Sequence, residues 1–274
     1  MQQLGLTGMP TPLFRCTPSR LTTWLDCPRR YQFEYVDRPT PPRGLPWAHN
    51  SVGASAHLAL ARIWEQPLEK RTPDVARALV TQVWQEDGFV SDAQSAAHRE
   101  ATAEQVATYV EGLDVSDEPR GVERTVGFTT DRLAASGRID RVDERDGELV
   151  VVDYKTGRSP LSSDDARGSL ALAFYVLGCR RTFRRPAGRV ELHHLPTGQV
   201  HAWEHTEESL SRHVERAEAV ASEARAAEES GEFPPSPSSL CGWCDFVQHC
   251  PEGIAASGGP KKPWSGLADL DGAG

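Results

Sequence analysis

One segment, residues 136–157, constrains the fold more than any other part of the chain; it reads SGRIDRVDERDGELVVVDYKTG. Two runs rich in Ile and Val flank Asp146-Gly147, a dipeptide that favours the type I′ turn of a β-hairpin. With those two residues as the turn, Asp140 lies directly opposite Asp153, and their Cβ atoms are about 4.5 to 5.5 Å apart. Lys155 falls on the same face as Asp153 because side chains alternate along a strand.

Two carboxylates held this close repel each other unless a cation lies between them. Hard divalent ions such as Mg²⁺ take oxygen ligands of this kind. The alternative is a solvated charged face on an ordinary hairpin, and the lysine argues against it. The chain contains 26 Arg and four Lys, and Lys155 is the sole lysine between Lys70 and Lys261. A compact ammonium with a tunable pKa beside paired carboxylates indicates a catalytic site.

Composition bounds the classes of protein that the chain can represent. With 274 residues, 38% of them apolar, it is long enough for one large domain. No apolar run is long enough to span a bilayer and no signal-like segment opens the chain, so we expect a cytoplasmic protein without a membrane partner. A net charge of −9 argues against binding nucleic acid through bulk charge. Five arginines form a local patch that either contacts phosphates or is a solvated helix end: Arg180, Arg181, Arg184, Arg185 and Arg189.

Hydrophobic periodicity predicts an α/β fold, with a small mixed sheet flanked by helices and an N-terminal helical lobe. Ser19 is the predicted cap of the first helix. The predicted segments are an irregular leader (1–16), a single domain (17–252) and a disordered tail (253–274). The domain consists of a helical lobe (about 54–112), a core (about 121–205) and a closing segment (about 206–252) that begins with an Ala-rich helix (207–230).

Three of the six cysteines form a C-x2-C-x5-C array, Cys241, Cys244 and Cys250. Such an array needs a fourth ligand to complete a tetrahedral zinc site or a four-iron cluster, and Cys27 is the candidate. One distant cysteine plus a three-cysteine array favours a 4Fe-4S cluster, with Zn²⁺ as the alternative. Disulfides do not suit a cytosolic protein.

Several motifs in one order resemble the RecB-like branch of the PD-(D/E)XK nucleases, and within it members with an iron-sulfur cluster, such as the AddB nuclease domain and the CRISPR-adaptation nucleases. The matching segments are SRLTTWLDCPRRYQFEY, GASAH, GRIDRVD, VVDYKTG and C-x2-C-x5-C-P. The resemblance implies a restriction-endonuclease-like fold. It also implies three sets of residues: metal ligands His57, Asp140, Asp153 and the carbonyl of Tyr154; catalytic residues Asp140, Asp153 and Lys155; and cluster ligands Cys27, Cys241, Cys244 and Cys250.

One position departs from the family pattern. Members commonly have Gln four residues before the Tyr of the next helix, whereas this chain has Ala171 before Tyr175, the candidate substrate contact. Glu123, on the first predicted strand, is interpreted as a surface residue, with membership of the site as the alternative. No GxxxxGK[ST] loop occurs, so any helicase is a separate partner.

We therefore predict a metal-dependent DNA nuclease, an exonuclease acting on single-stranded or frayed DNA in repair or recombination. Its cofactor is Mg²⁺ or Mn²⁺, and an imidazole ligand favours Mn²⁺. The alternative hypothesis is a catalytically inactive nuclease-like module that binds DNA for a separate helicase. A zinc-containing interaction domain is a third hypothesis, and it leaves the clustered carboxylates without a purpose.

Overall fold

The computed structural model describes residues 12–260. Most of the predicted leader (1–11) and of the predicted tail (261–274) lies outside the described residues. The strands are β1 (Phe14–Cys16), β2 (Gly121–Thr129), β3 (Leu133–Arg145), β4 (Glu148–Lys155), β5 (Ala187–His194) and β6 (Gln199–Glu204). The α-helices are α1 (Pro18–Asp26), α2 (Pro28–Tyr31), α3 (Ala48–Trp64), α4 (Pro73–Val83), α5 (Asp92–Glu111), α6 (Ser163–Gly168), α7 (Leu170–Phe183), α8 (Glu207–Ser230) and α9 (Pro251–Ser257).

The hairpin of β3 and β4 has the register that the sequence predicts. Its turn residues both have positive φ, +53° at Asp146 and +84° at Gly147, as a type I′ turn requires. The strands pair antiparallel from Arg145 opposite Glu148 to Arg141 opposite Val152. The pairing ends there, and Asp140 and Asp153 are the next positions in the same register.

The strands form one mixed sheet in the order β1-β3-β4-β5-β6, with β2 on the other edge of β3. β1 runs parallel to the start of β3, at Leu133–Ala135, whereas β4 pairs with its end, from Arg141. Because β2 occupies the opposite edge over both stretches, β1 and β4 share one edge of β3. Residues 136–140 lie between them on that edge without a strand partner among the described residues. Asp140 ends this unpaired interval.

Helices cover both faces of β4. Val150, Val152 and Tyr154 pack against α3, α4 and α5, which form the predicted helical lobe. The alternate residues Leu149 and Val151 pack on the other side, in a cluster that includes α7. The predicted class, a mixed α/β sheet flanked by helices, is confirmed. Within residues 12–260 no helix is both long and apolar enough to cross a membrane.

Three boundary predictions are wrong. Residues of the supposed irregular leader form β1, because Phe14 and Cys16 are buried on the sheet. The first helix is capped by Thr17, whose hydroxyl accepts the Arg20 N–H at 3.2 Å, and not by Ser19. Pro at the first helical position favours this start. The supposed disordered tail begins with α9, whose cap is Cys250.

The turn generates a stability prediction. Gly147→Ala should lower the free energy of unfolding by about 1 to 2 kcal/mol, because a Cβ is strained at positive φ. Chemical denaturation measures the change. Gly157→Ala is the matched control, since no described neighbour lies within 4 Å of its added Cβ and its φ is not positive. Equal stability of the two variants would contradict the type I′ turn.

Candidate metal centre

His57 links the helical lobe to the end of the hairpin. Its Nδ1 lies 3.2 Å from Asp140 Oδ1 and its Nε2 lies 3.1 Å from the carbonyl oxygen of Tyr154. Gly53, one turn earlier on α3, faces the end of the hairpin, since a Cβ there would lie 3.4 Å from Thr156 Oγ1. The Gly-x-x-x-His spacing thus places an imidazole against β3 and β4.

Asp140 and Asp153 lie where β3 and β4 separate. Asp140 Oδ2 accepts a 2.8 Å hydrogen bond from the Tyr154 backbone N–H. Asp153 Oδ2 forms a 2.6 Å ion pair with Lys155 Nζ. The Asp153 side chain is 13% exposed, whereas that of Lys155 is 45% exposed and reaches solvent. Burial and the charge of Asp140 raise the pKa of Asp153, although Lys155 opposes the rise.

Glu123 is the residue that sequence reasoning placed incorrectly. Its carboxylate, with ligand atoms of His57 and Asp140, forms a group within 4.8 Å of one another, so it is not a surface glutamate. Its φ is +48°, a left-handed conformation that is strained for a non-glycine residue in a strand. Arg138 forms a 2.8 Å ion pair with it. Strained backbone of this kind is concentrated at functional sites.

The charges at this site favour a bound cation. Burial alone lowers the pKa of His57, but the hydrogen bond and charge of Asp140, with the charges of Asp153 and Glu123, raise it overall. Burial and Asp140 raise the pKa of Glu123 as well. A divalent ion would relieve the repulsion between the carboxylates of this site. Carboxylate and carbonyl oxygens suit Mg²⁺ and Mn²⁺, and the imidazole suits Mn²⁺, so the residues present fit the ion.

Tyr154 is fixed from the opposite side of the sheet. Arg141, only 2% exposed, donates to the Tyr154 hydroxyl at 3.1 Å and to the Tyr109 hydroxyl at 3.2 Å. Asp143 accepts from the same guanidinium at 3.1 Å. These contacts anchor the ring of Tyr154 and thereby the backbone N–H and carbonyl that face Asp140 and His57.

Tyr175, the predicted substrate contact, lies beside the carboxylates. Burial, followed by the charges of Asp153 and Asp140, raises its pKa to about 12. Its ring packs on Gly137, where an added Cβ would lie 2.5 Å from Cε1. Ala171 precedes it by one turn of α7 and brings no polar group toward the site.

The four predicted cluster cysteines line one cavity of about 370 Å³. Each sulfur accepts a backbone N–H: Cys27 from Ser236, Cys241 from Ser238, Cys244 from Phe246 and Cys250 from Gly253. Arg29 and Arg30 line the same cavity. Burial raises the pKa of the Cys244 and Cys250 thiols, and Asp26 lines the cavity as well. Four sulfurs that line one cavity are nevertheless a donor set that fits a metal or cluster, and binding would have to displace the thiol protons.

The two remaining cysteines, Cys16 and Cys179, are buried in the core. Burial raises the thiol pKa of Cys16 to about 11 and that of Cys179 to about 12. Both therefore stay protonated at neutral pH, as expected of ordinary thiols.

Comparison with known proteins decides the family. Residues 15–251 match the sequence profile of the PD-(D/E)XK nuclease superfamily. The chain belongs to this superfamily. PD-(D/E)XK nucleases use divalent metal ions, in agreement with the acidic site described above.

Solved structures and curated proteins add little to this assignment. The protein SSO0001 is similar at 14% identity with a TM-score of 0.38, over 88% of this chain and 87% of that one. A protein from Eubacterium rectale described as a putative exonuclease is similar at 12% identity with a TM-score of 0.39, over 82% of this chain and 97% of that one. No curated protein matches.

The crowded carboxylates generate a prediction on metal binding. Asp153→Asn should leave the metal-free melting temperature unchanged or raise it at pH 7, because the folded state raises the pKa of Asp153 and its charge therefore opposes folding. Any gain should vanish as the pH falls through that raised pKa. Mn²⁺ should raise the melting temperature of the wild type, since a ligand that binds only the folded state stabilises it, and should do so much less for the variant.

Asp146→Asn is the control for this measurement, because it removes the same charge at the turn of the same hairpin. Differential scanning fluorimetry with and without Mn²⁺ gives both melting temperatures. Equal Mn²⁺ shifts in Asp153→Asn and the wild type would exclude Asp153 as a ligand.

Proposed function

We propose that this superfamily nuclease is a metal-dependent deoxyribonuclease, an exonuclease that acts on single-stranded or frayed DNA in repair or recombination. The convergence of His57, Asp140, Asp153 and Lys155 at the fork of β3 and β4 carries the proposal. His57 lies 3.2 Å from Asp140, and Lys155 lies 2.6 Å from Asp153. The group of ligand atoms within 4.8 Å of one another contains His57, Glu123 and Asp140 and does not include Asp153.

The ligands of the metal would be His57, Asp140, Asp153 and the Tyr154 carbonyl, with Glu123 as a further carboxylate. When bound, Mg²⁺ or Mn²⁺ lowers the pKa of a water and neutralises charge on the phosphate. His57 binds the metal only as a neutral imidazole, so metal binding competes with protonation of this residue. Its raised pKa therefore predicts weaker metal binding at acidic pH.

Lys155 has the position of a residue that acts on the reacting groups. Its ammonium is half-exposed and held by Asp153, so it can donate to a water or to phosphate oxygen at the mouth of the site. An ammonium there supports the negative charge that develops on phosphate. Tyr175, beside both aspartates, would contact the substrate strand.

Two substitutions test this assignment of catalytic residues. Asp153→Ala and Lys155→Ala should each lower cleavage of end-labelled DNA by at least about a hundredfold, because one removes a metal ligand and the other a charge that stabilises the transition state. Lys70→Ala, on the exposed side of the helical lobe, should cleave at the wild-type rate. Circular dichroism checks that all three variants fold.

The assay uses anaerobically purified protein, Mn²⁺, and single- and double-stranded substrates. Wild-type cleavage rates in either variant would refute the catalytic assignment. DNA binding by the wild type without cleavage under Mg²⁺ or Mn²⁺ would instead support the inactive DNA-binding module. An ATP-driven partner is not needed for the test.

We propose further that Cys27, Cys241, Cys244 and Cys250 hold a 4Fe-4S cluster. A tetrahedral zinc site with Zn–S bonds of about 2.3 Å places its sulfurs about 3.8 Å apart. Among residues 12–260, no three cysteine sulfurs lie within 4.8 Å of one another, although all four line one cavity. This wider spacing favours the larger four-iron cluster over Zn²⁺.

Cys241→Ser should give colourless protein whose terminal segments are cleaved faster by protease, because the cluster joins segments more than 200 residues apart. Cys179→Ala, a thiol outside the cavity, should keep the absorbance of the wild type. Metal and labile sulfide analysis decides the identity. One zinc per chain would indicate a tetrathiolate zinc site in place of the cluster. The absence of both iron and zinc from anaerobic protein would refute the proposal.

A further inference from the structure

A second cavity, of about 620 Å³, is lined by β1, β2 and the part of β3 that ends at Ser136, where the unpaired interval begins. Its walls include Cys16, the last residue of β1, and Ser136, the first residue of β3 beyond that pairing. The cavity and Asp140 are therefore at opposite ends of the stretch over which β3 has no partner on this edge. A ligand that runs along β3 from this cavity would reach the metal centre.

The charge of the cavity contrasts with that of the chain. Three arginines line it, Arg15, Arg20 and Arg181, and no Asp or Glu does. The whole chain has 39 acidic and 30 basic residues, so a wholly cationic lining is unexpected from composition. The cavity is therefore suited to an anion.

Two of these arginines are available to a ligand. The guanidinium groups of Arg15 and Arg181 are exposed and make no hydrogen bond or ion pair with any residue of the described range 12–260. Arg20 is already engaged, since it donates to the Tyr31 hydroxyl at 2.6 Å and to Glu228 at 2.8 Å. The unpaired charge of the cavity thus comes from Arg15 and Arg181.

The remaining lining indicates a strand and not a free ion. The half-buried ring of Tyr35 offers an aromatic surface, and Thr17 and Ser136 offer hydroxyls. Guanidinium forks bind phosphate oxygens in pairs, and aromatic rings stack on bases without regard to sequence. A cavity that combines both matches the alternation of phosphate and base in a single strand.

The distance between Ser136 and Asp140 on β3 indicates how many nucleotides separate the cavity from the metal centre. Four residues separate Ser136 from Asp140, or about 14 Å at about 3.4 Å per strand residue. A stacked nucleic-acid strand advances about 3.4 Å per nucleotide, so the cavity lies about four nucleotides from the metal centre.

We propose that this cavity binds the DNA strand about four nucleotides from the phosphate that is cleaved, through Arg15 and Arg181. The proposal rests on the nuclease function proposed above. Binding in this cavity would make the rate of cleavage depend on substrate length, because a fragment held at the metal centre and too short to reach the cavity lacks these contacts.

The test compares the double variant Arg15→Ala/Arg181→Ala with the wild type. Fluorescence anisotropy in EDTA measures binding of labelled 12-nucleotide and 3-nucleotide single strands over a range of salt concentrations. For the 12-mer we expect at least a tenfold loss of affinity and a salt-dependence slope smaller by about 1.4, at about 0.7 per phosphate contact. The 3-mer, which no metal anchors in EDTA, can enter the cavity by itself, so its affinity should fall as well.

Arg212→Ala/Arg216→Ala is the matched control, because it removes the same charge from two exposed arginines that line a different cavity, on α8. It should bind the 12-mer as the wild type does. An unchanged slope in Arg15→Ala/Arg181→Ala, or an equal loss in the control, would overturn the proposal. Under Mn²⁺, cleavage of the 3-mer slowed as strongly as that of the 12-mer would overturn it as well.

The readout separates this inference from the proposed function. Binding in EDTA needs no catalysis. A wild type that cleaves nothing would refute the nuclease proposal, whereas the salt-dependence slopes would still show whether the cavity binds DNA. Cleavage under Mn²⁺ then adds a second measure. The double variant should cleave the 12-mer more slowly and the 3-mer at the wild-type rate.

Discussion

The hydrogen bond from the Tyr154 backbone N–H to the carboxylate of Asp140 is the contact on which the rest of the site depends. It forms where the β3–β4 ladder ends, and so a side chain replaces the backbone partner that the strand no longer has. The same residue presents its carbonyl to His57. The backbone N–H and carbonyl of Tyr154 thus hold the Asp140 carboxylate and the His57 imidazole at the end of β4. The positions of the adjacent residues Asp153 and Lys155 are set by the same stretch of backbone.

The position of Tyr154 depends on buried charged groups on the other face of the sheet. Arg141 is buried with Asp143 and two tyrosine hydroxyls, one of them from α5. Buried ion pairs add little stability over apolar packing, but loss of one partner is strongly destabilising. The network therefore specifies one orientation of Tyr154 and attaches the helical lobe to the sheet in a single register.

Local signals explain what the sequence could predict. Asp146-Gly147 defines its turn within two residues, and the register of the hairpin follows from it. The Ala-rich helix has the predicted bounds, Glu207 to Ser230, because its cap and its terminal glycine are both adjacent to it.

What escaped prediction depends on distant partners. β1 is three residues long, and its partner on β3 lies more than 100 residues away, so no local pattern marks it. Glu123 faces Asp140 across β2 and β3, and no tight-turn dipeptide sets that register. Its positive φ could not be read from the residue type, since glutamate rarely adopts it.

The two ends of the domain meet near the cysteine cavity even apart from any cluster. Arg43 and Trp47 both contact the Asp245 carboxylate, and the Gly44 N–H donates to the Asp245 carbonyl. During synthesis Arg43, Gly44 and Trp47 lack this partner until Asp245, about 200 residues later, has emerged. At about 5 to 20 residues per second this interval is roughly 10 to 40 seconds, during which the nuclease core can fold while Cys27 is still unpaired. The order of translation thus makes the cysteine cavity form only after every strand of the sheet has been synthesised.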